Sequence, residues 1–462
     1  MGKCNKGTRV LFVLVIALII SLVALVTVFA SGEDNSPVLT AVEAPRWTAL
    51  FDRRGCSGWL GADGIYSVSL DGNDAFGSAN ESTSSFFIFS DTLMGVASSS
   101  GELIFNGGMP AQSSAILQGN AANKDAISFV YGEGGNGTLG EHLFGEHKWM
   151  LDCYVQNDKL YILGFPEENW KPKQIDMITI PIENGQPNYA EYSETENITE
   201  LWHKIGDEYL YAFGIGITAN TVSAGAVDPD GYIYVYGYRD AMQEMSRKDL
   251  IVGRIHEDDF PDFTRFSYWN GEGWVHNIEE SAILLSNVSC EMSVSYVPTG
   301  HYAGKYIAIY TQYTRSENIM YAIGDTPYGP FDEPVKCYNA AQHGQVGAGG
   351  RGSRVVYNAK AHPHLSKGDM LLISYNVNVE GEGVEQQTTD YHPRFLWLDL
   401  DPDNYVDIGE GEIGLQPEND DPKNNILIVS IVIMALASAI CVGVYLGRKK
   451  SLSKAKTHSA QK

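Results

Sequence analysis

The feature that most limits what this chain can fold into is a rhythm. Short runs rich in β-branched and aromatic residues recur at residues 86–90, 159–164, 232–237, 306–311 and 370–375. Their centres, Phe87, Tyr161, Ile233, Ile309 and Ile373, stand 74, 72, 76 and 64 residues apart. Three of the runs follow turn chemistry of one kind: Gln156-Asn157-Asp158-Lys159, Asp228-Pro229-Asp230-Gly231 and Ser366-Lys367-Gly368-Asp369. Such turns join neighbouring antiparallel strands. Five near-equal modules of strands and turns predict an all-β fold, a five-bladed β-propeller with one four-stranded sheet per module. A two-sheet sandwich rarely reaches about 350 residues as one domain. The modules share a pattern and little sequence identity.

No linker-like gap interrupts residues 45–401, which read as one propeller domain, and 44% hydrophobic and 11% aromatic residues suffice for its core. Residues 1–30 carry Lys3, Lys6 and Arg9, then an apolar run from Val10 to Ala30, the make-up of a secretory signal peptide or an uncleaved signal anchor. Residues 31–44 read as a loose lead-in, and residues 402–425, rich in Asp, Glu, Gly, Pro and Asn, as a solvated acidic stalk. Residues 426–446 hold no charge and precede Arg448, Lys449 and Lys450, which predicts a C-terminal transmembrane helix with a basic cytoplasmic tail at 447–462. The expected placement is a single-pass cell-membrane protein with its propeller outside.

The two ends hold nine basic groups and no acids, leaving 23 basic against 57 acidic groups between them, a net charge of −34. That surface repels nucleic acid and anionic polymers and suits neutral or cationic ligands; solubility alone would also explain it. Cys56, Cys153, Cys290 and Cys337 allow three full disulfide pairings, and the sequence does not choose among them. Sequons stand at Asn80, Asn136, Asn197 and Asn287. Two G-x-G-x-x-G matches, Gly132 to Gly137 and Gly347 to Gly352, open no helix after a strand and read as loops. No zinc spacing, G-x-S-x-G or twelve-residue calcium loop occurs, so no cofactor is expected, although acidic loops could take a structural calcium ion.

Candidate chemistry centres on two acids. Asp63 lies in Gly61-Ala62-Asp63-Gly64-Ile65-Tyr66-Ser67 and Asp91 in Phe89-Ser90-Asp91-Thr92-Leu93-Met94-Gly95, at either end of what reads as one β-hairpin, each beside small residues that leave its carboxylate uncovered. Cleaving a glycosidic bond takes two carboxyl groups, one protonated and one ionised. A turn aspartate and a strand-closing aspartate are the plain alternatives. Asp152, in Trp149-Met150-Leu151-Asp152-Cys153-Tyr154, and Glu291, in Ser289-Cys290-Glu291-Met292-Ser293-Val294, sit in similar strand contexts. If both face the channel, alternation turns Cys153 and Cys290 into the blades as buried, unpaired thiols. Trp59 could stack on a sugar ring, His362 could bind a sugar hydroxyl or a metal, and Asn376 and Arg394 could orient substrate; each could equally be structural.

The Asp63 and Asp91 motifs, with Asn358-Ala359-Lys360-Ala361-His362-Pro363-His364-Leu365-Ser366, Leu372-Ile373-Ser374-Tyr375-Asn376-Val377-Asn378 and Pro393-Arg394-Phe395-Leu396, resemble an uncharacterised-domain superfamily related to five-bladed propeller glycosidases. Its characterised members include bacterial endo-acting D-arabinofuranosidases. Ile319-Met320-Tyr321-Ala322 with Thr326-Pro327-Tyr328-Gly329-Pro330-Phe331 resembles a blade of the wider arabinanase and levansucrase clan. The resemblance spans about residues 45–402 and implies that the catalytic pair comes from the first blade, at Asp63 and Asp91, with Asp152 and Glu291 as further channel acids. It implies a hydrolase of furanose-containing polysaccharide. A carbohydrate-binding or adhesion propeller without turnover is the rival expectation, and an acidic scaffold for a cationic protein a third. The long loop from Asp71 to Ser85 departs from the family pattern and is expected to cover or reshape the cleft.

Overall fold

A computed structural model describes residues 37–412 except 136–137, 243–246, 342–352, 381–389, 405–407 and 410–411. The expected signal segment, the transmembrane helix, its tail and the second glycine-rich loop lie outside the described residues, and most of the expected stalk does too. No helix among the described residues is long and apolar enough to cross a membrane.

Five antiparallel sheets follow one another along the chain. Blade 1 orders Tyr66–Ser69, Ser84–Phe89, Ser113–Gln118 and Ile127–Val130; blade 2 runs Trp149–Gln156, Lys159–Phe165, Asp176–Glu183 and Ser193–Thr195. Blade 3 is built on Tyr209–Asn220, Tyr232–Ala241 and Lys248–His256, with short strands added at its edges. Blade 4 orders Met292–Val297, Lys305–Thr311, Asn318–Gly324 and Val335–Asn339, and blade 5 orders Ser353–Ala361, Met370–Glu380, Arg394–Asp399 and Ala41–Glu43. The first strand of each blade packs against the first strand of the next, from blade 1 through blade 5. Blade 5 returns to blade 1 through Ser67 Oγ and His362 Nδ1, 2.6 Å apart. The ring is therefore closed, as a five-bladed propeller requires.

Phe87, Tyr161, Ile233, Ile309 and Ile373 each lie on the second strand of a blade, the position buried on both faces, and this is why their runs are the most apolar in each module. The turn in Gln156-Asn157-Asp158-Lys159 is a two-residue hairpin with both central residues at positive φ, 52° and 54°.

Both domain edges differ from expectation. Ala41–Glu43 is not a loose lead-in: it pairs with Arg394–Asp399 as the outer strand of blade 5, with Leu39 and Ala41 fully buried. Beyond residue 401, Ile408 is 3% exposed, its carbonyl accepts from Lys367 Nζ at 2.7 Å, and the Glu412 carbonyl accepts from Trp397 Nε1 at 3.1 Å. The start of the expected stalk thus belongs to the packed domain, because an apolar residue and two carbonyls find partners there.

Candidate active site

Asp63 and Asp91 occupy the same end of the first hairpin rather than opposite ends. Ser57–Ala62 and Thr92–Ala97 pair in a small second sheet with Leu103–Gly108, so the chain passes from one sheet to the other at Asp63 and passes back at Asp91. At that joint the Asp63 N–H donates to the Asp91 carbonyl (3.1 Å) and the Ser90 N–H to the Asp63 carbonyl (2.9 Å). Their side chains are freed from strand alternation. The flanking glycines are needed for space: a Cβ at Gly61 would lie 1.6 Å from the Tyr391 carbonyl oxygen, and Gly64 sits at φ +61° with Ser90 Oγ 2.8 Å from where its Cβ would be.

Blades 2, 4 and 5 complete the surroundings. Trp149 Nε1 donates to Asp91 Oδ1 (3.0 Å), Tyr357 Oη to Asp63 Oδ2 (2.8 Å) and Tyr391 Oη to the Asp91 carbonyl (2.9 Å). Burial, then the charges of Asp91 and Glu291, pushes the Asp63 carboxyl well above the usual carboxylate range, against hydrogen bonds from Tyr357 and Tyr391. Burial also raises Asp91, offset by the Trp149 hydrogen bond and the nearby His147. Both phenols are pushed well up by burial and remain donors. Glu291 accepts from Asn358 Nδ2 (2.8 Å) and is ion-paired with the buried Lys360; burial raises its carboxyl and Lys360 draws it back. Lys360 also lies 4.0 Å from the Tyr66 ring centroid.

Asp152 is elsewhere. It accepts from the Cys153 N–H (2.8 Å) within its own strand, at a bulge between Met150 and Cys153, and from the Ile217 N–H (2.7 Å), a bond that stitches blade 2 to blade 3. Burial raises its carboxyl to about 7. It lines a cavity with Ser67, Asn220, Ser295 and Pro298, to which Asp63, Asp91 and Glu291 do not contribute. Asp63, Glu291 and the Asp91 partner Trp149 stand at or just before the starts of their inner strands, and this cavity runs along residues further on in them, among them Ser67, Asp152, Asn220 and Ser295. The Asp71 to Ser85 loop belongs to the cavity end: Asp74, Ala75 and Phe76 line it, and the Gly77 N–H donates to the Pro363 carbonyl at 2.9 Å. This loop therefore does not itself cover Asp63 and Asp91, contrary to expectation, since it joins the far ends of two strands.

The expected substrate contacts are corrected. Trp59 is 2% exposed, stacked on Phe129 with centroids 4.2 Å apart and bonded through Nε1 to Ser113 Oγ (3.0 Å), so no ring face is open to a sugar. His362 is fully buried between Ser67 and Ser374 Oγ (2.8 Å), and burial pushes its pKa well below the ordinary value, so both nitrogens are spent inside the protein. Asn376 is buried with Nδ2 on the Ala62 carbonyl (3.3 Å), supporting the Asp63 turn from behind. Arg394 is 9% exposed and bonded to the His392 carbonyl (3.3 Å), away from the two aspartates. The four cysteines among the described residues are free; Cys153 is buried as expected, whereas Cys290 is only half-buried, its Sγ 3.7 Å from Asn358 Oδ1. Among the described residues no group of three or more His, Cys, Asp or Glu is arranged to hold a metal ion.

Tyr357, Tyr391, Lys360 and Trp149 escaped the sequence reading as site residues. Tyr357, Tyr391 and Lys360 lie far along the chain from their partners; Trp149, three residues before Asp152, and Lys360, two before His362, stand in segments that the resemblance and the strand pattern mark, without a local signal of what they meet.

The closed ring of five antiparallel sheets defines the architecture as a five-bladed β-propeller, with Asp63 and Asp91 at one strand joint. The sequence matches the family described as domain of unknown function DUF5005 over residues 45–399, and the chain belongs to that family. No curated protein matches it. Among solved structures, a Bacteroides ovatus ATCC 8483 protein provisionally described as a hydrolase superposes with a TM-score of 0.56 at 17% identity, covering 79% of this chain and 97% of that one. That likeness shows the fold. The α-L-arabinofuranosidase of Podospora anserina, in complex with cellotriose, matches at 0.38 and 10% identity over 75% of this chain and 98% of that one. The GH62 α-L-arabinofuranosidase catalytic domain of Coprinopsis cinerea matches at 0.40 and 10% identity over 78% and 96%. The last two scores are too low to bear on what this chain does.

Proposed function

We propose that this protein is a cell-surface glycoside hydrolase acting on a furanose-containing, arabinan-like polysaccharide. The observation that carries the reading is the strand joint that sets Asp63 and Asp91 side by side with protein donors on both. Two carboxyls in unequal surroundings divide the acid and base roles. Asp63, raised by burial and by two neighbouring acids, holds the shared proton and delivers it to the departing glycosidic oxygen. Asp91, with the Trp149 indole on its carboxylate, is the ionised partner, attacking the anomeric carbon or taking a proton from the water that does. The Tyr357 hydroxyl fixes the orientation of Asp63. Lys360 balances Glu291 and so limits the negative charge around the pair. The net acidic surface favours neutral glycans. Surface display rests on the uncharged run at 426–446 and the basic residues after it.

Release of reducing ends from D-arabinan, L-arabinan and fructan, by the full chain and by Asp91→Asn, tests this. Cleavage of one of them that disappears in the variant supports it; cleavage that survives Asp91→Asn and Asp63→Asn removes it. Binding without cleavage would point to a carbohydrate-binding propeller.

A further inference from the structure

Trp170 is 77% exposed, more than any other large hydrophobic side chain among the described residues. It sits on the tip of a hairpin in which Glu167–Glu168 pairs with Lys171–Pro172. Asn169 and Trp170 form the two-residue turn, both at positive φ, 56° and 65°. Such a turn favours Asn-Gly, and a bulky residue in glycine's place holds a backbone conformation that L side chains rarely adopt. An exposed indole on a strained tip contributes little to folding in return. The hairpin itself is held firmly: Lys171 is ion-paired with Asp240 at 3.0 Å, and Trp202 Nε1 donates to the Pro172 carbonyl at 3.2 Å.

The position of that ring is telling. Its centroid lies 5.7 Å from that of Trp149, at an interplanar angle of 41°, and Trp149 is the residue bonded to Asp91. From Asp91 the contacts thus run first to a half-buried indole, then to an open one. We infer that Trp170 is a saccharide-binding platform, the subsite for a neutral sugar unit next to the one held at Asp63 and Asp91; this rests on the glycosidase reading of that pair. An indole offers an apolar face to the C–H face of a sugar ring, and a pre-fixed ring loses little freedom when it binds. Glu167, Glu168 and Asp91 beside it disfavour anionic sugars and acidic peptides. A subsite outside the reacting position grips the interior of a chain, so this protein takes polymer in preference to short glycosides.

The test uses the full chain and oligosaccharides from D-arabinan, L-arabinan and fructan. In the Asp91→Asn background, one of them should quench and shift tryptophan fluorescence. Adding Trp170→Ala should weaken binding about tenfold, and Trp170→Phe should restore part of it, since one aromatic contact contributes roughly that factor. In the active enzyme Trp170→Ala should raise KM on polymer more than it lowers kcat. Unchanged binding and KM in an enzyme that still cleaves would overturn the subsite and leave the hydrolase reading standing. Trp170-dependent binding without cleavage would do the reverse. No fluorescence response to any of the three glycans overturns the platform.

Discussion

Glu291 and Asp152 look alike in the sequence, each an acid beside a cysteine at the edge of a strand run, yet they stand in opposite regimes. Glu291 stands at the start of its inner strand, near Asp63, and is held by a buried ammonium and an amide. Asp152 stands further along its inner strand, in the cavity wall, and is held by two backbone N–H groups. One acid belongs to the electrostatics of the carboxyl pair, the other to the seam between two blades. In this propeller, position along the inner strand places one acid near the Asp63 and Asp91 carboxyls and the other at a seam, and a residue's immediate neighbours in sequence do not announce which.

The comparison is most sharply broken by activity. Asp63→Asn and Asp91→Asn should each cut kcat on a cleaved glycan by about 10²–10⁴, the range for losing a positioned acid or base, whereas Asp152→Asn should keep it within about tenfold. Comparable losses at all three would merge the two ends into one site. Next in size, Lys360→Met leaves Glu291 buried without its counter-charge and should cost about 3–5 kcal/mol in denaturant unfolding, a loss that Glu291→Gln largely restores.

Asp152 gives a smaller effect with a definite sign. Its folded-state pKa, about 7 against an ordinary 3.8, means the folded chain binds the extra proton between those values. Stability from this group is therefore present at low pH and declines as pH rises from about 4 to about 7, by about 2 kcal/mol once its partial exposure is allowed for. Melting temperature followed against pH should fall less steeply in Asp152→Asn; an unaltered slope would show that Asp152 is ionised throughout. Smallest, Trp59→Phe should cost about 1 kcal/mol through the lost Ser113 hydrogen bond and leave KM unmoved.

The blades were legible because each second strand is apolar on both faces, and Phe87 through Ile373 mark five of them at near-equal spacings of 64 to 76 residues. The acid pair was legible as small residues around Asp63 and Asp91. What surrounds the pair was not. Tyr357 and Tyr391 come from blade 5, 294 residues beyond Asp63 and 300 beyond Asp91, and no periodicity announces such meetings. Trp59, open to a sugar-stacking or a core role from its sequence, takes the core role for a local reason: a register shift between Trp59 and Gly61 suspends strand alternation, so both Trp59 and Leu60 are buried. Trp170 passed unnoticed because a two-residue turn containing tryptophan matches no common turn signature.

The strand Ala41–Glu43, seated against Leu396 to Leu398, sets a timetable for making this protein. Ribosomes add about 5–20 residues per second, so after Ala41 emerges its partner follows only some 20 to 70 s later. Throughout that interval four blades can form in order while Leu39, Ala41 and Val42 wait without a sheet to join. Pairing across so long a stretch of chain is intrinsically slow. The newborn molecule is thus an open arc with one unpaired edge, vulnerable to a neighbouring copy's strand until its own first residues snap the circle shut.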